Sequence, residues 1–392
     1  MSVAGSQQRT FLDLLAQLRP HWRRDRNLPA RIQALLARHR AFGSRDRRLY
    51  RELIYTTLRY LPWIEPALDR DPALAVQLVA SLAADSPATA NFRAAHATAA
   101  PPAGEKTELL PAWFRAHCPE AFAPDQLDAL LSRAPLWLRL QTADPARVTA
   151  EFDRLGWRFE TSPILPTALR LLDEVDVTKT DAYRHGLIEV QDLGSQLVLA
   201  SAGIAPGGRW LDACAGAGGK TLQLAALLGP AGHIDAHDIR PTALAELATR
   251  AARAGLDNIA ILPPSLTAAY DGILIDAPCS GTGTWRRAPH LKWTTTEADI
   301  AAAAATQLSL LAAFTPLVRP GGRLIYATCS LSHRENEDVL AAFLRAHRAF
   351  AAEPPARDFG APLRGGGLTL LPALHNTDGF FVAALRYVDS VG

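Results

Sequence analysis

The sequence predicts an α/β protein in which a doubly wound sheet domain follows a small α+β subdomain and an all-helical N-terminal domain. Three observations carry this. From about residue 187 short apolar strands alternate with amphipathic helices, the pattern of a parallel sheet covered on both faces. One of those strands runs straight into a glycine-rich turn, "LDACAGAGGKT". Residues 1–84 instead carry apolar residues at three-to-four spacing, the period of a helix.

In chain order, "FLDLLAQL", "PARIQALLARH" and "RRLYRELIYTTLRYL" read as helices. Residues 85–107 are small, polar and proline-bearing, and read as a linker. "LPAWFRAHCPEAF" and "PDQLDALLSRA" add helices; "LWLRLQT", "ARVTAEFDRLG" and "LRLLDEV" then read as strand, helix and strand. The sheet domain follows, with strands in "RWLDAC", "GHIDAHDI", "NIAILPP", "YDGILIDAP", "GGRLIYATC" and "GFFVAALRYV". Helices lie between them in "KTLQLAALLG", "PTALAELATRAARAG", "EADIAAAAATQLSLLAAFTPLV" and "ENEDVLAAFLRAH". The expected domains are 1–130, 131–185 and 186–392.

Composition narrows the class. Of 392 residues 48% are hydrophobic and 20% charged, as in a water-soluble globular chain. No unbroken apolar run approaches the ~18–20 residues of a membrane span, and the start lacks a basic-then-apolar signal peptide. A cytoplasmic protein without membrane contact is therefore expected, with an Arg-rich organelle transit peptide as the weaker alternative reading of the start; a monomer is the default. Four cysteines, Cys118, Cys214, Cys279 and Cys329, show neither CxxC pairing nor zinc spacing, so no metal site is expected and the thiols read as core or chemical groups in a reducing compartment. The net charge of +2 hides an asymmetry: residues 1–60 hold 13 arginines, no lysine and four acidic residues, a net +9. That is the footprint of a nucleic-acid partner or a solvated helical face.

The glycine turn admits three ligands. A Walker phosphate loop would need glycine where Cys214 stands. A dinucleotide loop would need glycine at Thr221. S-adenosylmethionine remains. It has no phosphate and carries a sulfonium cation, which suits a loop lined by carboxylates. Asp238 ends the second strand, 26 residues after Asp212, where a carboxylate can accept both ribose hydroxyls of an adenosine ligand. Asp276 ends a later strand on the same carboxyl edge. The structural alternative is a helix cap at Asp212 and an ordinary turn.

Cys214, Cys279 and Cys329 all fall at carboxyl ends of expected strands, on the ligand's side of the sheet. Two thiols beside a methyl donor suggest methylation of a pyrimidine at carbon-5. That carbon is a poor nucleophile until a thiolate adds to carbon-6. An acid near ring nitrogen 3 stabilises the charge that develops there. One cysteine would attack and the second would assist release. Each taken singly reads as a small buried hydrophobe.

Together "LDACAGAGGKT", "DAPCSGTGTWRRAPHLKW", "YATCSLSHRENEDVL" and "DGFF" resemble the RsmB/NOP-type RNA (cytosine-5) methyltransferases over roughly residues 187–387. The resemblance implies a Rossmann-like methyltransferase sheet. It implies that Cys329 adds to carbon-6, that Cys279 helps eliminate the adduct, and that Asp276 contacts both cofactor and cytosine. Cys279 as nucleophile is the alternative. Cys214, Ala215, Gly216, Ala217, Gly218, Gly219 and Lys220 would cradle the methionine part of S-adenosylmethionine, and Asp238 its ribose. Arg286, Arg287, His290, Lys292 and Trp293 would touch RNA, cations on phosphates and tryptophan as a stacking face. Glu335 and Glu337 read as acids at a helix start. The helical region looks like the antitermination-factor (NusB)-like domain of some bacterial members.

The sequence departs from the family pattern at three places. Gly216 and Ala217 replace Ala-Pro in the loop. Gln141 replaces an asparagine. Pro263, Pro264 and Ser265 stand where an acid near the adenine is usual. The expected activity is methylation of a cytosine in RNA, ribosomal RNA before transfer RNA. The competing readings are a catalytically silent RNA-binding or assembly protein and a methyltransferase acting on DNA or protein.

Overall fold

The computed structural model describes residues 2–97, 104–261 and 269–388. The chain divides into two compact units, Met1–Arg133 with Thr284–Thr296, and Ala134–Gly283 with Glu297–Gly392. Both sheets belong to the second unit, so the division expected at residue 185 is not one between units. The stretch Thr284–Thr296, which the sequence reading left with the sheet domain, belongs to the helical unit.

The helical unit is built on Val3–Leu18, Leu28–Arg38, Ser44–Arg59, Leu61–Arg70 and Pro72–Leu82. Their apolar stripes meet in one core containing Phe11, Leu14, Leu53, Ile64 and Phe92. Each such side chain contributes roughly 1.5–3 kcal/mol on leaving water. Two expectations change here. The linker contains a helix, Ala90–His96, because Phe92 is fully buried and anchors it. "LPAWFRAHCPEAF" forms two 3-10 turns, Ala112–Ala116 and Pro119–Phe122, separated at His117 and Cys118.

In the second unit β1 (Leu136–Leu140), β2 (Phe159–Thr161), β3 (Ala168–Leu171) and β4 (Ile188–Val190) form an antiparallel sheet in the order β2-β3-β1-β4. The helix Pro145–Arg154 covers it through Val148 and Phe152. The larger sheet holds β5 (Gly208–Asp212), β6 (Gly232–Ala236), β7 (Ile259–Ile261), β8 (Tyr270–Asp276), β9 (Val318–Thr328), β10 (Phe350–Glu353), β11 (Leu363–Arg364), β12 (Gly367–Leu370) and β13 (Phe380–Tyr387). Its order is β11-β12-β13-β9-β8-β5-β6-β7, with β10 paired to β13. Strands β5 to β9 are mutually parallel, but β13 runs antiparallel to β9 and so do its own partners β10 and β12 to it. The expected parallel sheet is found in β5 to β9, and an antiparallel edge is added to it, where β11 and β12 are joined by a short hairpin. Apolar runs look alike in either direction.

Because neighbouring strand residues point to opposite faces, Trp210, Leu274 and Ile325 pack on one side, and Leu211, Ile275 and Tyr326 on the other. Gly272 lies opposite Trp210 in the parallel pair, and a Cβ there would sit 2.4 Å from the indole. Even alanine at 272 would push these central strands apart. The helix Glu297–Phe314, with the turn to Leu317, is long and apolar enough to span a membrane by composition. Here it packs beside β8 and the helix Glu337–Ala346 through Ile300, Gln307 and Leu311.

Candidate active site

Strand β5 ends at Asp212, and the chain turns through Ala213–Gly218 into the helix Gly219–Leu228. Two glycines make the turn possible: Gly216 has φ +54° and Gly218 φ +91°. At Gly218 a Cβ would also lie 2.2 Å from Leu247 Cδ1. Asp212 is buried beneath the turn and accepts hydrogen bonds from Thr221 Oγ1 at 2.8 Å and Cys214 N at 3.3 Å. Burial pushes its carboxyl up to about 7, against the Thr221 hydrogen bond. Burial, with the Asp212, Asp276 and Asp238 carboxylates, pushes the Cys214 thiol up to about 12.

Just beyond β6, the carboxylate of Asp238 accepts from Gly216 N at 2.8 Å and from Arg240 N, Nε and Nη2 at 2.9, 2.9 and 3.0 Å. The Arg240 guanidinium holds it down at about 2. At the end of β8, Asp276 Oδ2 takes a 2.7 Å bond from Lys220 Nζ. The lysine also sits 5.1 Å from the Phe380 ring. Gly216, Lys220, Asp238, Arg240 and Asp276 wall a cavity of about 390 Å³ with Ser195, Ile239, Leu310 and Phe314. Two carboxylates, Asp238 and Asp276, glycines and apolar side chains line it together, a set that suits an adenosine ligand with a cationic centre. Gly219 lines this cavity, and a Cβ on it would meet nothing within 4 Å.

Adjacent strands place the two motif cysteines. β8 and β9 pair in parallel up to Asp276 and Ala327, and the pairing continues through Ala277 N to Ala327 O at 2.9 Å. The chains beyond diverge only slightly, so Cys279 Sγ lies 3.2 Å from Cys329 Sγ. The contact with Cys329, then burial, pushes the Cys279 thiol well above its usual range. Gly283 N donates to Cys329 O at 3.0 Å, and a Cβ at 283 would lie 2.1 Å from Gly379 O. "DGFF" thereby packs its glycine against the cysteine loops.

Most expected site residues come together. Cys214, Ala215, Gly216, Ala217, Gly219, Lys220, Asp238 and Asp276 line the cavity, and Pro278 carries its wall toward the thiols. Gly218 shapes the turn from behind. Gln141 accepts from Arg139 Nη2 at 2.8 Å and donates to Gly186 O at 3.0 Å, a structural bridge. Pro263, Pro264 and Ser265 lie outside the described residues.

The residues expected to contact RNA lie mostly inside the helical unit. Lys292 is buried, and its Nζ donates to Arg59 O at 2.7 Å and Leu109 O at 3.0 Å. Trp293 Nε1 donates to Leu58 O at 2.6 Å. Leu58 and Arg59 close the helix Ser44–Arg59, whose last carbonyls lack helical partners. Lys292 and Trp293 therefore cap a helix. Arg286, also buried, donates to Ser132 Oγ at 2.7 Å and Arg133 O at 3.1 Å; His290 Nε2 lies 3.2 Å from Arg26 O. Of the five, Arg287 is the exposed one. Glu335, read from the sequence as an acid at a helix start, precedes the helix Glu337–Ala346 and is fully buried. It stands six residues after Cys329.

The sheet with its glycine turn and carboxylate-rimmed cavity defines a methyltransferase fold. Residues 202–386 match the family model 16S rRNA methyltransferase RsmB/F. The chain is 35% identical over 290 residues to a protein named ribosomal RNA small subunit methyltransferase B from Xanthomonas campestris, across 70% of this chain and 66% of that one. It is 38% identical over 237 residues to a probable ribosomal RNA small subunit methyltransferase B from Synechocystis, across 57% and 53%. A solved structure of a methyltransferase homolog protein from Pyrococcus horikoshii superposes with a TM-score of 0.61 at 27% identity, across 70% of this chain and 93% of that one. The chain belongs to the RsmB/NOP-type methyltransferase family. Its matched part spans between about half and two thirds of those two curated relatives.

Proposed function

We propose that this protein methylates carbon-5 of a cytosine in RNA, with ribosomal RNA as the favoured substrate, using S-adenosylmethionine. The observation that carries the reading is the thiol pair, 3.2 Å apart, at the ends of neighbouring strands beyond Asp276. The relatives' names support ribosomal RNA as substrate.

When bound, the cofactor supplies an electrophilic methyl group. Gly216, Gly219 and Lys220 would hold its methionine part, and Asp238 its ribose after exchanging a bond now made to Arg240. Leu310 and Phe314 offer the apolar wall. Cys329 would add as a thiolate to carbon-6 of the cytosine, moving an electron pair onto the ring. Asp276, steadied by Lys220, would hydrogen-bond the ring edge where that charge gathers. After carbon-5 has gained its methyl group, loss of its proton and expulsion of the Cys329 thiolate restore the 5,6 double bond. Cys279, whose Sγ lies 3.2 Å from Cys329 Sγ, is placed to exchange a hydrogen bond with it and to take part in release.

Covalent trapping tests this. Wild type, Cys279→Ala and Cys329→Ala are incubated with cellular RNA and S-adenosylmethionine and run on a denaturing gel. Cys279→Ala is expected to accumulate a protein–RNA adduct, and Cys329→Ala none. A reversed dependence would exchange the two roles. Radiolabel appearing in DNA or protein, with none in RNA, would overturn the substrate assignment. No adduct from any variant and no methyl transfer by wild type would favour a silent RNA-binding protein.

A further inference from the structure

Glu335 is fully buried, yet its carboxylate meets no cation; among the described residues its partners are four hydrogen-bond donors. Oε1 accepts from Ser280 N at 2.8 Å and from Gln307 Nε2 at 3.1 Å. Oε2 accepts from the hydroxyl of Ser280, and from Ser330 Oγ at 2.6 Å. Ser280 follows Cys279 and Ser330 follows Cys329. One carboxylate thus spans both cysteine loops. The surroundings hold it in turn: Gln307 Nε2 also donates to Pro278 O at 3.0 Å, and the Tyr326 hydroxyl reaches Gln307 Oε1 at 3.1 Å and Glu335 O. A buried, unpaired carboxylate is costly unless hydrogen bonds replace its water. Such a group persists where the bonds it collects fix a geometry.

We infer that Glu335 is a positioning residue that ties the Cys279 loop to the Cys329 loop and sets the separation of the two thiols. The role in methyl transfer rests on the function proposed above; the tie itself does not. It acts through Ser280 and Ser330 and touches neither thiol. Its charge has a second effect. It is one of the influences that keep the Cys279 thiol protonated, after the Cys329 contact and burial. Position and charge can therefore be separated by substitution. Glu335→Gln keeps an oxygen for the two N–H donors, and the two hydroxyls can rotate to accept from its amide. Glu335→Ala removes every tie.

The test uses the full chain with neither RNA nor cofactor. Diamide, an azo oxidant, converts two adjacent thiols to a disulfide: two S–H bonds break, one S–S bond forms, and the azo group is reduced to a hydrazine. Peptide mapping follows the Cys279–Cys329 crosslink, and alkylation against pH follows the Cys279 thiolate. Wild type should crosslink readily and Glu335→Ala at least about tenfold more slowly. Glu335→Gln should crosslink near the wild-type rate, with its Cys279 alkylation profile moved to lower pH. A Glu335→Ala protein that is folded and crosslinks like wild type overturns the proposal, as does a Glu335→Gln protein that crosslinks as slowly as Glu335→Ala. If Glu335→Ala does not fold, the single variant Ser280→Ala, which removes the Ser280 hydroxyl tie to Oε2 and its 3.4 Å contact with Ser330 Oγ, is held to slower crosslinking than wild type. A slowed crosslink in a protein that methylates nothing would leave the tie standing and sink the function. Normal crosslinking beside robust RNA methylation would do the reverse.

Discussion

Lys220 and Lys292 are the buried members of only four lysines in the chain, and the structure uses them in opposite ways. Lys220 lies beside a cavity and faces a carboxylate, Asp276, at 2.7 Å. Lys292 faces two backbone carbonyls in the helical unit, and burial, with Arg59 nearby, pulls its ammonium well below the usual lysine range. Both are followed or preceded by motif residues, and both read from sequence as functional cations. The difference teaches that a buried cation points to chemistry when its partner can also serve a ligand. When its partners are the orphan carbonyls of a helix end, it points to folding.

The largest expected effect comes from breaking the first lysine. Lys220→Met should lower methyl transfer about 1000-fold, because a preorganised charge is removed beside the reacting groups. Unfolding free energy should move by about 1 kcal/mol or less, since the Asp276 side chain, 31% exposed, can be rehydrated. Single-turnover methylation and a urea melt read the two quantities. A stability loss that accounts for the lost activity would collapse the contrast between the lysines.

The next effect is a pH dependence of opposite sign in the two units. Asp212 is raised from 3.8 to about 7 by burial, so the native sheet unit holds a proton that the unfolded chain releases. Its stability falls as pH rises through that window, by up to about 4 kcal/mol. Lys292 is depressed below 10.5. Below that value the unfolded chain binds the extra proton, so the helical unit gains stability as pH rises toward it. Hydrogen exchange at several pH values separates the units. Asp212→Asn should flatten the first slope alone, and Lys292→Met the second alone. A Lys292→Met variant that flattened the slope of the sheet unit would refute this separation.

Lys292→Met sharpens the comparison at fixed pH. Two carbonyls lose their donor and one unfavourable charge disappears, so the net loss should be about 2 kcal/mol in the helical unit. Affinity for S-adenosylmethionine, read by calorimetry, should not change.

These contrasts mark what was legible in the sequence. β5, β6, β8 and β9 and the glycine turn are local patterns, and each stands where the periodicity put it. The thiol pair was legible because both cysteines sit one or a few residues past neighbouring strands. The direction of β13, the short strands β2 and β4, and the helix Ala90–His96 were not. Strand direction leaves no trace in an apolar run, and Phe92 makes its helix only by finding a core. The lysine at 292 misled for the same reason. Its partners lie 183 and 233 residues away along the chain, and no spacing rule reaches them. Glu335 was visible as an acid near a helix start; only the bonds to Ser280 and Ser330 separate it from Glu337.

The smallest effect bears on the cavity side of the comparison. Gly218 and Gly219 are neighbours with different reasons to be glycine. Gly218 has a positive φ and Leu247 against it, so its own fold requires it. Gly219 begins a helix, has no positive φ, and has open space where a Cβ would stand. By folding alone, Gly219→Ala should be tolerated and should stabilise the chain by about 0.5 kcal/mol, because the unfolded state loses freedom. Gly219 also lines the cavity assigned to S-adenosylmethionine, so the added methyl group should weaken that ligand about tenfold through a close contact with it. Melting and calorimetry on the one variant give both signs. Higher stability with weaker binding means that the space beside Gly219 is kept open for a ligand. Unchanged binding would place the ligand elsewhere along the cavity and remove the loop from the cofactor's cradle.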